Sequence, residues 1–267
     1  MAVERTRDKQ RAAHFDVKPQ HLKLYKYRDF SSPSEVDFQR LETLLQREAF
    51  WCARPDTLND PEEFAWTCDY VASTETEELL TELLVRVNAR PREQAHDRAA
   101  AAIATGRLAI LAKPVIEGMI QQCRNEIGLV CFGTSPDNPC LWQRYGGGGA
   151  GVCIEIDVPV ELIERQLFRV QYSFAKTIHL DQLMRAFLDP HHVQDVYTLA
   201  LLSKPVSWAT EAEIRFVSRK QEVSVRMDGS KITRVILGDA LPPGVRRRIE
   251  EIAAALRYDS QSHANVA

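Results

Sequence analysis

The sequence contains no long apolar run. Windows such as LAILAKPVIEGMI are broken by Lys113, Pro114 and Glu117, whereas a membrane-spanning helix needs about 20 consecutive apolar residues. The opening MAVERTRDKQRAAHFDVKPQ is charged and lacks the apolar core of a secretory signal. A soluble, cytoplasmic protein without a membrane partner is expected. Charge of one sign is also scarce. The 34 Lys and Arg against 37 Asp and Glu leave a net −3, so bulk electrostatics argue for neither a nucleic-acid nor an acidic-lipid partner. A local basic groove is still allowed.

Paired metal ligands are missing too. The cysteines Cys52, Cys68, Cys123, Cys131, Cys140 and Cys153 form no C-x-x-C pair, and no histidine pair follows at zinc-finger spacing. Several lie in apolar runs (GLVCFGT, GVCIEID) and read as buried free thiols. The side chains of His191 and His192 diverge on a helix or a strand, so they are not expected to share an ion. No metal is expected. No β-α-β alternation carries a G-x-G-x-x-G fingerprint, which argues against a Rossmann domain. The glycines 146–149 lead into a strand, and no Gly-Lys-Ser/Thr follows. They read as a mobile loop beside a pocket, not as a phosphate loop.

What is present is a mixed pattern. At 267 residues and 45% hydrophobic, the chain can bury a substantial core. Strand-like alternation occurs at 21–30, 49–55, 127–135, 151–158, 166–172, 213–219, 221–226 and 231–238. Asp228-Gly229 predicts a hairpin turn between the last two. Helical spacing occurs at Phe38, Leu41, Leu44 and Leu45, across 75–126 with breaks near Pro91 and Gly106, and at 178–188, 192–203 and 243–258. LWQRY predicts a helical turn. Strands at both ends with helices between them predict an α+β fold with mixed or mainly antiparallel sheets. Residues 1–18 read as a charged lead-in and 19–258 as one domain with a helical insertion at about 75–126. Residues 259–267 read as a polar tail.

The segment WATEAEIRF, Trp208–Phe216, alternates strictly. As a strand, it turns Glu211, Glu213 and Arg215 to one face and Thr210, Ala212, Ile214 and Phe216 to the other. Two carboxylates that close disfavour joint ionisation unless a cation intervenes, and Arg215 would serve as that cation. A surface ladder of Glu and Arg would give the same letters. Tyr25, Lys26, Tyr27 and Arg28 put two aromatics and two cations in four residues. Arg28 offers a fork of donors suited to phosphate oxygens. Trp142 and Tyr145, three apart, would form an aromatic platform on one helical face, or simply pack in the core. Asn59, in the turn segment DTLNDPEEF, completes the candidate binding set.

The ordered stretches LYKYR, TLNDPEEF, LVCFGTS, LWQRYG…GVCIEID, VQY and SKPVSWATEAEIRF resemble a large bacterial family catalogued as a domain of unknown function. Its members often sit among defence and mobile-element genes. The glycine run departs from that family's more polar stretch, which often holds a histidine. The layout also resembles that of ADP-ribosyltransferases: an early cationic strand, a middle aromatic strand and a late E-x-E strand. That likeness implies NAD as substrate, Glu213 as the acid that holds the nicotinamide ribose, and Glu211 as its partner. It further implies Arg28 or Lys26 as the anchor, with Tyr25, Tyr27 or Trp142 stacking on a ring. The implied role is that of a toxin or phage-defence effector acting on a protein or nucleic-acid acceptor. A homodimer is allowed.

Two other readings stay open. Asp60, Glu62, Glu211 and Glu213 would suit a metal-dependent nuclease or phosphohydrolase. The arginines of PPGVRRRIEEI would suit a non-catalytic module binding nucleic acid or protein, although a solvated helix face explains them as well.

Overall fold

The computed structural model describes residues 21–59, 67–163, 165–173, 177–189 and 202–263. The charged lead-in, most of the expected helix over 192–203, His191, His192, Asp60 and Glu62 lie outside them. Within them the fold is α+β, as the alternating and helical stretches predict. No described helix is long and apolar enough to cross a membrane.

The larger sheet orders its strands β1 (His21–Asp29), β5 (Gly151–Pro159), β12 (Lys231–Leu237) and β13 (Asp259–Ser262). β5 lies antiparallel to both neighbours, and β13 runs parallel to β12. β5 is apolar at nearly every position because both its faces are covered. Asp259–Ser262, expected as tail, is thus a sheet edge. An edge strand is held by backbone bonds on one side, so DSQS needs no apolar letters to qualify. A second sheet orders β4 (Gly128–Phe132), β10 (Ile214–Ser218) and β6 (Leu167–Arg169), all antiparallel. The expected single strand over 166–172 breaks at Val170: β6 joins this sheet, whereas β7 (Gln171–Ser173) pairs with β9 (Ser203–Pro205). The end of the expected helix over 192–203 therefore meets a strand.

The expected hairpin does not form. β11 (Val223–Val225) pairs with β2 (Phe50–Cys52), not with β12. The turn itself exists. Ser230 N–H donates to the Met227 carbonyl, and Gly229 sits at φ +72°, a conformation that glycine adopts without strain. Met227 and Ser230 are buried beside it, and Ile232 N–H donates to Glu48. The turn thus passes the chain between two sheets.

Two large hydrophobic clusters support this frame. α1 (Glu35–Arg47) and α7 (Pro243–Ala255) cover the sheets, and α1 inserts Phe38, Leu41, Leu44 and Leu45 as its spacing predicts. The helical block is α2 (Thr76–Asn88), α3 (Arg92–Ala104) and α4 (Leu108–Glu126). It builds a second core with α6 (Leu180–Leu188).

Candidate functional site

The two sheets touch through β1 and β4. Tyr25 and Gly133 exchange backbone hydrogen bonds of 3.0 and 2.8 Å. Beyond that bridge no further ladder joins the two strands among the described residues. Lys26–Phe30, at and just past the end of β1, and Leu129–Gly133, at and just past the end of β4, instead line one cavity of about 910 Å³. That volume is near the top of the ~300–1,000 Å³ range of small-molecule sites. The alternation of β1 explains its chemistry. Leu24, Lys26, Arg28 and Phe30 share a face. Leu24 and Phe30 are buried in the sheet core, and the two cations between them are half-buried at the cavity wall.

Glu211 and Glu213 also line this cavity, but not as neighbours along a strand. The chain from Val206 to Glu211 is a 3-10 helix, Ala212 takes the left-handed region (φ 45°, ψ 50°), and β10 begins only at Ile214. The expected strand over Trp208–Phe216 is therefore half helix. Tertiary pairing overrides alternation here, because β10 finds partners in β4 and β6 only from Ile214 onward. The kink at Ala212 turns both carboxylates toward Lys204. Its Nζ lies 3.0 Å from Glu211 Oε2 and 2.6 Å from Glu213 Oε2.

This lysine is the centre of a buried ionic network. Arg215 donates its Nε and an Nη to the two oxygens of Glu213, at 2.8 and 3.3 Å. Arg144, from α5 (Pro139–Tyr145), and the Tyr145 hydroxyl both donate to Glu211 Oε1, at 2.9 and 3.1 Å. The Trp208 ring lies 4.1 Å from the Arg144 guanidinium and 5.1 Å from the Lys204 ammonium, close enough for cation–π attraction. Tyr172 Oη accepts the Glu213 backbone N–H at 2.9 Å. Burial alone would raise the Glu213 carboxyl, but Arg215 and Lys204 outweigh it and hold it at about 2. Burial, followed by Glu211, pushes the Tyr145 phenol well above its ordinary range. Burial pulls the Lys26 ammonium down, and Arg28 adds to that, whereas Cys131 and Glu213 act the other way. Lys26 Nζ donates to the Cys131 carbonyl at 3.0 Å.

The cavity collects Lys26, Tyr27, Arg28, Asn59, Tyr145, Glu211 and Glu213 from the expected set. Arg215 is fully buried behind Glu213 and is not part of the wall. Two of the expected aromatics, Tyr25 and Trp142, are not at the wall. Tyr25 and Tyr27 alternate to the face opposite Lys26 and Arg28. There they pack with Trp142 in a separate core cluster. Tyr27 meets Trp142 edge to face at 5.2 Å and donates to the Ser135 carbonyl, while Tyr25 donates to Glu155. Trp142 donates to the Pro136 carbonyl and lies outside the cavity. The glycine run is not at the wall either. Gly147, Gly148 and Gly149 all have positive φ, and a Cβ on Gly147 would come within 2.2 Å of the Asp29 carboxylate.

Sequence reasoning missed Lys204, Arg144, Tyr172 and Trp51. Lys204 had one usable signal, a lone cation seven residues ahead of Glu211 in a segment already singled out. Of the arginine triplet, Arg246 donates to the Gly238 carbonyl, and Arg248 pairs with Glu35 over the Phe38 ring. No group of three His, Cys, Asp or Glu stands together among the described residues. No protein-family model, curated protein or solved structure matches the chain.

Proposed function

We propose that the cavity is the active site of an NAD-consuming, ADP-ribosyltransferase-like enzyme. The supporting observation is that Lys26 and Arg28 of the first strand and the Glu211/Glu213 pair, far apart in sequence, line one cavity. The lining carries the cations Lys26, Arg28, Arg40, Arg47, Arg144 and Lys204 against the acids Asp29, Asp37, Glu211 and Glu213. That excess of two positive charges suits a ligand bearing a diphosphate. Among the described residues the Arg28 side chain makes no hydrogen bond or ion pair, which leaves its fork for phosphate oxygens.

In this reading the C1′–nicotinamide bond breaks and nicotinamide leaves with the bonding pair. Positive charge develops on the ribose, as in glycoside cleavage. Glu213 is ionised throughout the neutral range and stabilises that charge electrostatically. An ionised carboxylate has about four acceptor sites. Glu211 Oε2, engaged by Lys204, retains capacity for a ribose hydroxyl. The acceptor's lone pair then bonds to C1′, and its proton passes to solvent or to Glu211. The resemblance to the bacterial family adds a role as a toxin or defence effector.

The test is incubation with NAD and a cell lysate. Nicotinamide release and transfer of labelled ADP-ribose are expected from the wild type and not from Glu213→Gln, with melting curves to show that the variant is folded. Wild-type turnover no higher than that of the variant ends this reading.

A further inference from the structure

Trp51 is an exposed tryptophan with no evident structural task. β2 reads buried–exposed–buried, with Phe50 and Cys52 inward and Trp51 outward at 56% exposure. An isolated exposed aromatic is ordinary. This one borders the same cavity, level with its cross-strand partner Ser224. The wall nearby is the outward side of α1, which supplies Val36, Arg40, Thr43 and Arg47. Arg40 and Arg47 are exposed, and Arg47 makes no hydrogen bond or ion pair among the described residues. Arg28 lies close enough to Arg40 and Asp37 to feel both charges. The buried part of the wall holds the two glutamates and their ion network with Lys204 and Arg144.

We propose that Trp51 is the stacking wall of a base subsite at the cavity mouth, and that it takes the purine ring of a nucleoside diphosphate. The diphosphate would lie against Arg28 and Arg40, between the base and the glutamates. Each part has a physical reason. A flat ring on an exposed indole gains stacking without requiring a specific edge. Guanidinium groups match phosphate oxygens. Such a base subsite deepens the nucleotide reading of the cavity and rests on it, but it does not require that NAD be cleaved.

The test is calorimetric titration of the full chain with ADP, and separately with pyrophosphate, which has no base. Stacking is worth ~1–3 kcal/mol per base, so Trp51→Ala is expected to weaken ADP binding about 10-fold. Pyrophosphate binding should not change. Trp51→Phe, which keeps a ring, should stay within about 3-fold of wild type. Arg28→Gln should weaken both ligands. The inference is overturned if ADP does not bind the wild type at about 1 mM. It is also overturned if Trp51→Ala leaves ADP affinity unchanged or weakens ADP and pyrophosphate equally. ADP binding that depends on Trp51, together with absent NAD turnover, would sink the catalytic reading alone. NAD turnover in a protein whose ADP affinity ignores Trp51 would sink only the base subsite.

Discussion

The ammonium of Lys204 lies 2.6 Å from Oε2 of Glu213, and both side chains are buried, at 3% and 5% exposure. The same ammonium holds Glu211. One lysine thus lets two carboxylates coexist away from bulk water, with Arg215 and Arg144 completing the balance. Removing one partner from such a network strands the others.

Lys204→Met is therefore expected to destabilise the fold by about 3 kcal/mol, the usual cost of breaking a buried pair from one side. Adding Glu211→Gln to that background should recover part of the loss, because one stranded charge is gone. Urea unfolding of the single and double variants measures both. Equal midpoints for wild type and Lys204→Met would show that the lysine balances nothing.

The Glu213 carboxyl has a folded value of about 2 against an ordinary 4.5. A depressed acid contributes stability above its unfolded value and loses it as the pH falls toward the folded one. Wild type should accordingly lose stability between about pH 4.5 and pH 2 more steeply than Glu213→Gln, which has no proton to take up there. Stability measured across that window decides it; parallel curves would assign the acid transition to other groups.

Lys26 is a lysine whose ammonium is disfavoured by burial and by Arg28. Its amine should acylate at lower pH than exposed lysines such as Lys113. A polyanion such as ADP in the cavity should shift that reactivity back toward higher pH, because negative charge favours the ammonium. Mass spectrometry after pulsed acylation over a pH series reads both effects. Identical profiles for Lys26 and Lys113 would count against an electrostatically special wall.

A Cβ on Gly238 would lie 2.1 Å from the Gly149 carbonyl oxygen. That contact involves backbone on both sides and cannot be relieved by a rotamer change. Gly238→Ala should cost at least about 2 kcal/mol, a typical overpacking penalty. Gly244 in α7 has nothing within 4 Å of such a Cβ, so Gly244→Ala should instead gain about 0.5–1 kcal/mol of helix stability. Opposite shifts of the urea midpoint are the expected pair of results.

Period-two and period-3.6 patterns carried much of the architecture. β1, α1 and the helical block are legible because each buries a repeating face, and β5 because it is a continuous apolar run buried on both faces. The sequence also placed Lys26 and Arg28 together on one face of β1, and it paired Glu213 with Arg215 two residues on, although β10 begins only at Ile214. β13, held by backbone bonding, left no such mark, and Asp228-Gly229 marked a turn but not the change of sheet that it makes.

What only the tertiary structure decided is that these pieces meet. Alternation said that Tyr25 and Lys26 face opposite ways, but not which face meets a cavity. The sheet packing gave the tyrosines to a core with Trp142 and the cations to open space. The left-handed turn at Ala212 and the arrival of Lys204 converted two repelling acids into a neutralised pair. That outcome depends on a helical turn and a backbone reversal between Lys204 and Glu213, and on Arg144, 67 residues before Glu211, and strand alternation contains no term for either.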